Sequence, residues 1–135
     1  MADVTIRAEF QTSVETVWNV VTDNERYGWR SDLEKIELSE DRNMFTEISR
    51  GGIKTDFTIT EKKPFERYAF DMKNKNMQGR WTGKFVTGGN GGCIIEFTEN
   101  VTAFSPVLNL FVKSYLKKQQ KQYVKDLKKA LGEEG

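Results

Sequence analysis

The 135-residue chain contains no histidine. That absence removes both the commonest general base near neutral pH and the commonest metal ligand. Cysteine is nearly absent too. Cys93 stands alone, which excludes an internal disulfide and suits a reducing compartment. With no histidine partner it makes a poor nucleophile, and its place on an apolar strand face marks it as core. No run of apolar residues approaches the ~18 needed to span a bilayer. Met1-Ala2-Asp3-Val4 leads straight into a strand pattern, without the basic, apolar and small-residue succession of a signal peptide, so a cytoplasmic location is expected. No cluster of Cys and carboxylates has metal-ligand spacing, and no cofactor or metal is expected. The glycine run Gly88 to Gly92 joins two strands and precedes no helix, which excludes a phosphate cradle and leaves a flexible hairpin.

What is present suffices for one domain over residues 1–135. Hydrophobic residues make up 37% and aromatics 12%, enough for a core, and charged residues at 30% supply a solvated surface. Val4, Ile6, Ala8 and Phe10 alternate with polar residues as a strand with one buried face does. Thr12 and Glu15 stand in capping-box spacing before the stripe Val14, Val17, Trp18 and Val21, which predicts a helix ending near Thr22. Asp23 to Trp29 is expected to form a second short helical turn, and Leu33 to Ser39 the next strand. From there to Phe104 turn signals at Asp41-Arg42-Asn43, Arg50-Gly51-Gly52, Pro64-Phe65-Glu66, Asn74-Lys75-Asn76 and Gly88 to Gly92 separate six strands of an antiparallel meander. Shared faces are Ile53, Thr55, Phe57 and Ile59; Tyr68, Phe70 and Met72; Trp81, Gly83 and Phe85; and Cys93, Ile95, Phe97, Glu99 and Val101. For Met44 to Ser49 the inward side stays open, with Met44 and Ile48 on one face and Phe45 on the other.

Ser105 as N-cap and Pro106 at the first helical position open a helix that runs to Leu131, roughly 39 Å at ~1.5 Å per residue. Leu116, Val124, Leu127 and Leu131 form its distal packing stripe. Val107, Leu108, Leu110, Phe111 and Tyr115 make its start apolar nearly all round, which implies contact with the sheet, a ligand or a loop. The helix carries seven lysines against Asp126 alone, a charge of +6 in a chain of net +1. Without interleaved aromatics for base stacking this does not read as a nucleic-acid surface. Solvation of an exposed face accounts for the lysines, with weak contact to an anionic surface as the further option.

The order strand, helix pair, six strands, long helix resembles the helix-grip fold of the SRPBCC superfamily, which includes START lipid-transfer domains, the birch-pollen-allergen group and polyketide cyclase or dehydrase-like proteins. Three stretches carry the resemblance: Phe10 to Trp18 (Phe-Gln-Thr-Ser-Val-Glu-Thr-Val-Trp), then Asp23 and Trp29, then Glu61 to Tyr68 (Glu-Lys-Lys-Pro-Phe-Glu-Arg-Tyr). It implies an α+β fold, a curved seven-stranded antiparallel sheet gripping the C-terminal helix, two short helices between strands one and two, and an apolar cavity between sheet and helix. It also implies a hydrophobic or amphipathic small molecule as partner, lipid-like or polyketide-like, with no stable membrane insertion. A cyclase or dehydratase, and a protein-interaction module, are the alternatives. The oligomeric state stays open.

On that scaffold Phe57, Phe70, Trp81, Phe85, Phe97, Phe111 and Tyr115 are candidates to line a pocket or simply fill the core. Glu99 shares a face with Phe97 and Val101, where an ionised carboxylate is costly unless paired. It is the candidate to orient a ligand or, in an enzyme, to act as acid or base; a lysine partner or an exposed strand end are the competing readings. Trp29 and Arg30 border the expected cavity mouth. There Arg30 would meet an anionic head group, and Trp29 would either gate entry or plug the gap between helix and sheet. The missing histidine weighs for binding over catalysis.

Overall fold

The computed structural model describes residues 2–133; Met1, Glu134 and Gly135 lie outside them. Strand β1 (Ala2–Phe10) is followed by helix α1 (Val14–Thr22), and then by β2 (Leu33–Leu38), β3 (Met44–Ser49), β4 (Lys54–Lys63), β5 (Arg67–Lys73), β6 (Met77–Thr87) and β7 (Cys93–Ala103). Two helices close the chain, α2 (Pro106–Asn109) and α3 (Val112–Ala130). The strands form one curved antiparallel sheet in the order β1-β7-β6-β5-β4-β3-β2. This is the expected α+β helix-grip architecture, with three local differences.

One concerns the cap of α1. Ser13, not Thr12, accepts from the Thr16 N–H. Thr12 instead donates both its N–H and its hydroxyl to Glu133, which also accepts from the Gln11 N–H at 2.6 Å. A carboxylate brought from the far end of the chain thus sits at the entry to α1, where the helix dipole favours negative charge. Partial burial pushes the Glu133 carboxyl up, but the bonds from Thr12 and Gln11 outweigh it and hold the group below its ordinary value of 4.5. Its stabilisation is therefore present above pH 4.5 and lost as the pH falls through the lowered value. Glu133→Gln is expected to cost about 1 kcal/mol at neutral pH, read by urea unfolding. An unchanged midpoint would rule out the clamp.

The second difference lies between α1 and β2. Residues 23–29 form turns instead of a second helix. The Asp23 carboxylate accepts from the Glu25 and Arg26 N–H groups, a local pairing that competes with a helical ladder. The third is a break in the C-terminal helix at Leu110-Phe111, where Leu110 and Phe111 bond back to Val107 and Leu108 in the tighter three-residue pattern. Asn109 turns its side chain to accept from the Ala103 N–H, tying the corner to the end of β7. The apolar start of this helix does not pack on the sheet as expected: Val107 is 65% exposed, Leu110 78% and Phe111 63%.

Past the break, α3 settles on β1 and β7. Val112 and Leu116 pack with Ala2, Val4, Val101 and Ala103, while Leu127 joins the main core with Phe10, Val17, Trp18, Phe85 and Ile95. The buried Gln120 donates to the Val4 carbonyl at 3.0 Å, and Lys128 reaches the Glu9 carbonyl while covering the Phe10 ring. Helix α3 rests on β1 and β7 and α1 on β6 and β7, so the inward faces of β3 to β5 are left to border a space beneath α3.

Candidate functional site

Cross-strand register builds the floor of that space. Phe45 faces Phe57 between β3 and β4, Phe70 faces Trp81 between β5 and β6, and Trp81 faces Glu99 between β6 and β7. The rings of Phe45 and Phe57 stack at 4.7 Å, and those of Phe70 and Trp81 at 4.8 Å. Trp81 can lie flat because Gly83 is beneath it: a Cβ at Gly83 would come within 2.6 Å of the indole. Phe45 therefore resolves the open face of β3, since period two carries Glu47 and Ser49 inward with it while Met44 is exposed.

The result is a cavity of about 410 Å³ between sheet and α3, within the range that holds small-molecule ligands. Its inner end is walled by Phe45, Phe57, Phe70, Trp81 and Phe97. Lys73, Leu108, Phe111, Tyr115 and Gln119 line it while remaining exposed, and so mark the open end. Of the residues singled out in the sequence, Phe57, Phe70, Trp81, Phe97, Glu99, Arg30, Phe111 and Tyr115 converge on this space. Phe85 and Trp29 do not. Phe85 is buried against Trp18 at 5.0 Å, in the core under α1. Trp29 packs edge-on to Tyr123 at 5.3 Å and fills the gap between the α1–β2 connection and α3. Cys93 is core as well, its thiol pushed up to about 11 chiefly by burial.

Glu99 is 8% exposed, sits between Trp81 and Val4 in the sheet register, and lines the cavity wall beneath Gln120. Burial pushes its carboxyl up to about 7; the neighbouring Gln120 amide and the charge of Arg30 oppose the shift, and Glu47 adds to it. Near neutral pH this group is present in both protonation states, and its neutral form both donates and accepts a hydrogen bond.

Arg30 is committed elsewhere. Its guanidinium makes a two-point pair with Asp32 at 2.9 and 3.2 Å, reaches Glu47 at 3.0 Å, and lies 4.9 Å from the centre of the Tyr123 ring. Burial works against the charge, but Glu47, Tyr123 and Asp32 outweigh it and hold the group firmly protonated. Two carboxylates against one cation leave this wall net acidic, poorly matched to the anionic head group expected to meet Arg30. The residues that sequence reasoning passed over are the ones that hold this region together: Glu47, Asp32, Gln120 and Asp126. The buried Asp126 accepts from the N–H and hydroxyl of Ser31 and from Gln122, locking the segment that carries Arg30 onto α3. Tyr68 takes a bond from Asn24 at the inner end, and the Tyr115 hydroxyl takes one from Gln119 at the open end.

A curved seven-stranded antiparallel sheet wrapped around a long helix is the START-like helix-grip arrangement. The chain belongs to the family described as polyketide cyclase / dehydrase and lipid transport, which matches residues 1–132, and with it to the SRPBCC superfamily. Among solved structures it is similar to a START superfamily protein from Mycobacterium smegmatis (15% identity, 95% of each chain, TM-score 0.83). A conserved protein from Geobacillus kaustophilus superposes comparably (13% identity, 97% of this chain and 95% of that one, TM-score 0.81). CalU16 from Micromonospora echinospora is a more distant match (18% identity, 93% of this chain and 75% of that one, TM-score 0.63). No curated protein matches. At such identities the structural likeness establishes the fold alone.

Proposed function

We propose that the protein binds an uncharged, largely apolar small molecule, lipid-like or polyketide-like, in the space between sheet and α3, with Glu99 holding its one polar group. The observation that carries this reading is the cavity of about 410 Å³, its inner end walled by five aromatic side chains and a buried carboxyl among its lining. Burying an aliphatic ligand there removes apolar surface from water at about 25 cal/mol per Å². A ligand with a net charge would meet the acidic Arg30, Asp32 and Glu47 wall if anionic and lose its hydration in either case.

Native mass spectrometry on protein purified gently from its own cells tests the proposal. A stoichiometric apolar compound released on denaturation supports it. An empty protein that also fails to take up the apolar fluorophore N-phenyl-1-naphthylamine overturns it. Phe111→Ala, at an exposed position on the open end, is expected to weaken uptake of that probe about tenfold while leaving the unfolding midpoint nearly unchanged.

The second reading, a cyclase or dehydratase, draws on the same Glu99: a carboxyl pushed up to about 7 is suited to proton transfer at neutral pH. Glu99→Gln separates the two. In a binding protein most of the affinity survives, whereas turnover that depends on a proton at this position collapses.

A further inference from the structure

The corner between β7 and α3 presents Phe104, Val107, Leu108, Leu110 and Phe111 to solvent, with exposures from 42% to 78%. Leu108 and Phe111 also line the open end of the cavity; Val107 and Leu110 are exposed without lining it. Closure over a ligand therefore accounts for one side of the corner only. Directly after it, Lys113, Lys117, Lys121, Lys125 and Lys129 recur at four-residue spacing along α3, all exposed. Such a repeat is self-repelling in an isolated helix. The one acid on the helix, Asp126, is buried and turned to Ser31, and among the described residues none of these five lysines makes an ion pair.

We propose that this corner and the adjoining lysine row form a docking surface for an anionic lipid bilayer, which sets the open end of the cavity against the membrane. Apolar insertion or a polybasic row alone gives only marginal membrane binding, and the two together make attachment stable. A second copy of the chain fits less well. Pairing the corners about a two-fold axis would bring two lysine rows near one another. A nucleic acid fits less well again, because α3 has no arginine and the corner offers mainly aliphatic side chains where stacking would need aromatic ones. Docking in this orientation lets an apolar molecule pass between bilayer and cavity without crossing water, but attachment itself does not require an occupied cavity.

Flotation of the purified protein with phosphatidylcholine vesicles, with and without phosphatidylserine, tests the assignment. Binding is expected only with phosphatidylserine, and it should weaken as salt is added. Lys113→Gln/Lys117→Gln/Lys121→Gln is expected to reduce it on the order of a hundredfold, about fivefold per lysine. Val107→Ser/Leu110→Ser, which leaves both charge and cavity lining intact, should reduce it on the order of tenfold. The proposal is overturned by failure to float at low salt, by equal binding to both vesicle types, or by indifference to the serine pair. It also fails if sedimentation shows a dimer that the serine pair dissolves, because the corner then covers another copy. None of these outcomes bears on whether the cavity takes up an apolar probe, so the two proposals stand or fall separately.

Discussion

Replacing Arg30 by methionine is expected to destabilise the protein by about 3–5 kcal/mol, the typical cost of removing one partner from a buried ion pair. The Arg30 side chain is 14% exposed and its partner Glu47 16%, so the carboxylate left behind has little water to replace the lost contacts. Asp32, at 35%, is better hydrated and contributes less. The change also removes the cation stacked over Tyr123, a ring that spans Trp29 and Phe97 and so links the α1–β2 connection to the cavity floor. Because the penalty arises from unpaired charge, Arg30→Met/Glu47→Leu should recover most of it, and chemical denaturation of both variants gives the comparison. A single variant that loses less than about 1 kcal/mol would show that the cluster is effectively solvated and contributes little to holding the site.

That cluster also shows where the sequence stops being readable. The sheet, its turns and the inward faces of five strands follow from alternation alone, because burying one face of a pleated strand leaves a period of two in the residue types. The family resemblance supplied the grip of sheet on helix. Arg30 and Glu99 stood out as charges in places that border a cavity, but their partners did not, since Glu47 comes from a strand whose face was ambiguous. Phe45 resolves that ambiguity only once Phe57 is seen stacked on it. Gln120 was within reach: Leu116, Gln120, Tyr123 and Leu127 follow helical spacing on the packed face, and a polar residue in such a row signals a buried partner. The break at Leu110-Phe111 was not within reach. Helix periodicity continues through it, and the bond that ties down the corner is donated by the Ala103 N–H to the Asn109 side chain, a pairing that no periodicity of apolar residues records. Nor could an apolar run reveal that it would face solvent, because a stripe identifies a surface that avoids water without naming what covers it.

Glu99→Gln is expected to stabilise the protein at pH 8 by about 3 kcal/mol and to remove a titration from its stability profile. The carboxyl is raised from 4.5 to about 7 in the folded chain, so between those values the native state holds a proton that the unfolded state has released. Stability is then fully present below pH 4.5 and declines as the pH rises to about 7, losing roughly 1.36 kcal/mol for each step of one in pH. Subtracting the glutamine variant's profile from that of the unmodified protein isolates this one group from the other carboxylates. A difference that is flat between pH 4.5 and 7 would mean that Glu99 ionises normally in the fold. The same proton sets the sign of the binding prediction. An uncharged ligand laid over Glu99 excludes water from it and favours the neutral carboxyl further. Uptake of N-phenyl-1-naphthylamine should therefore weaken as the pH rises past 7 in the unmodified protein and lose that dependence in Glu99→Gln. The buried carboxyl thus makes affinity depend on pH in the opposite sense from a site that requires an ionised glutamate, and the slope of that one titration distinguishes them.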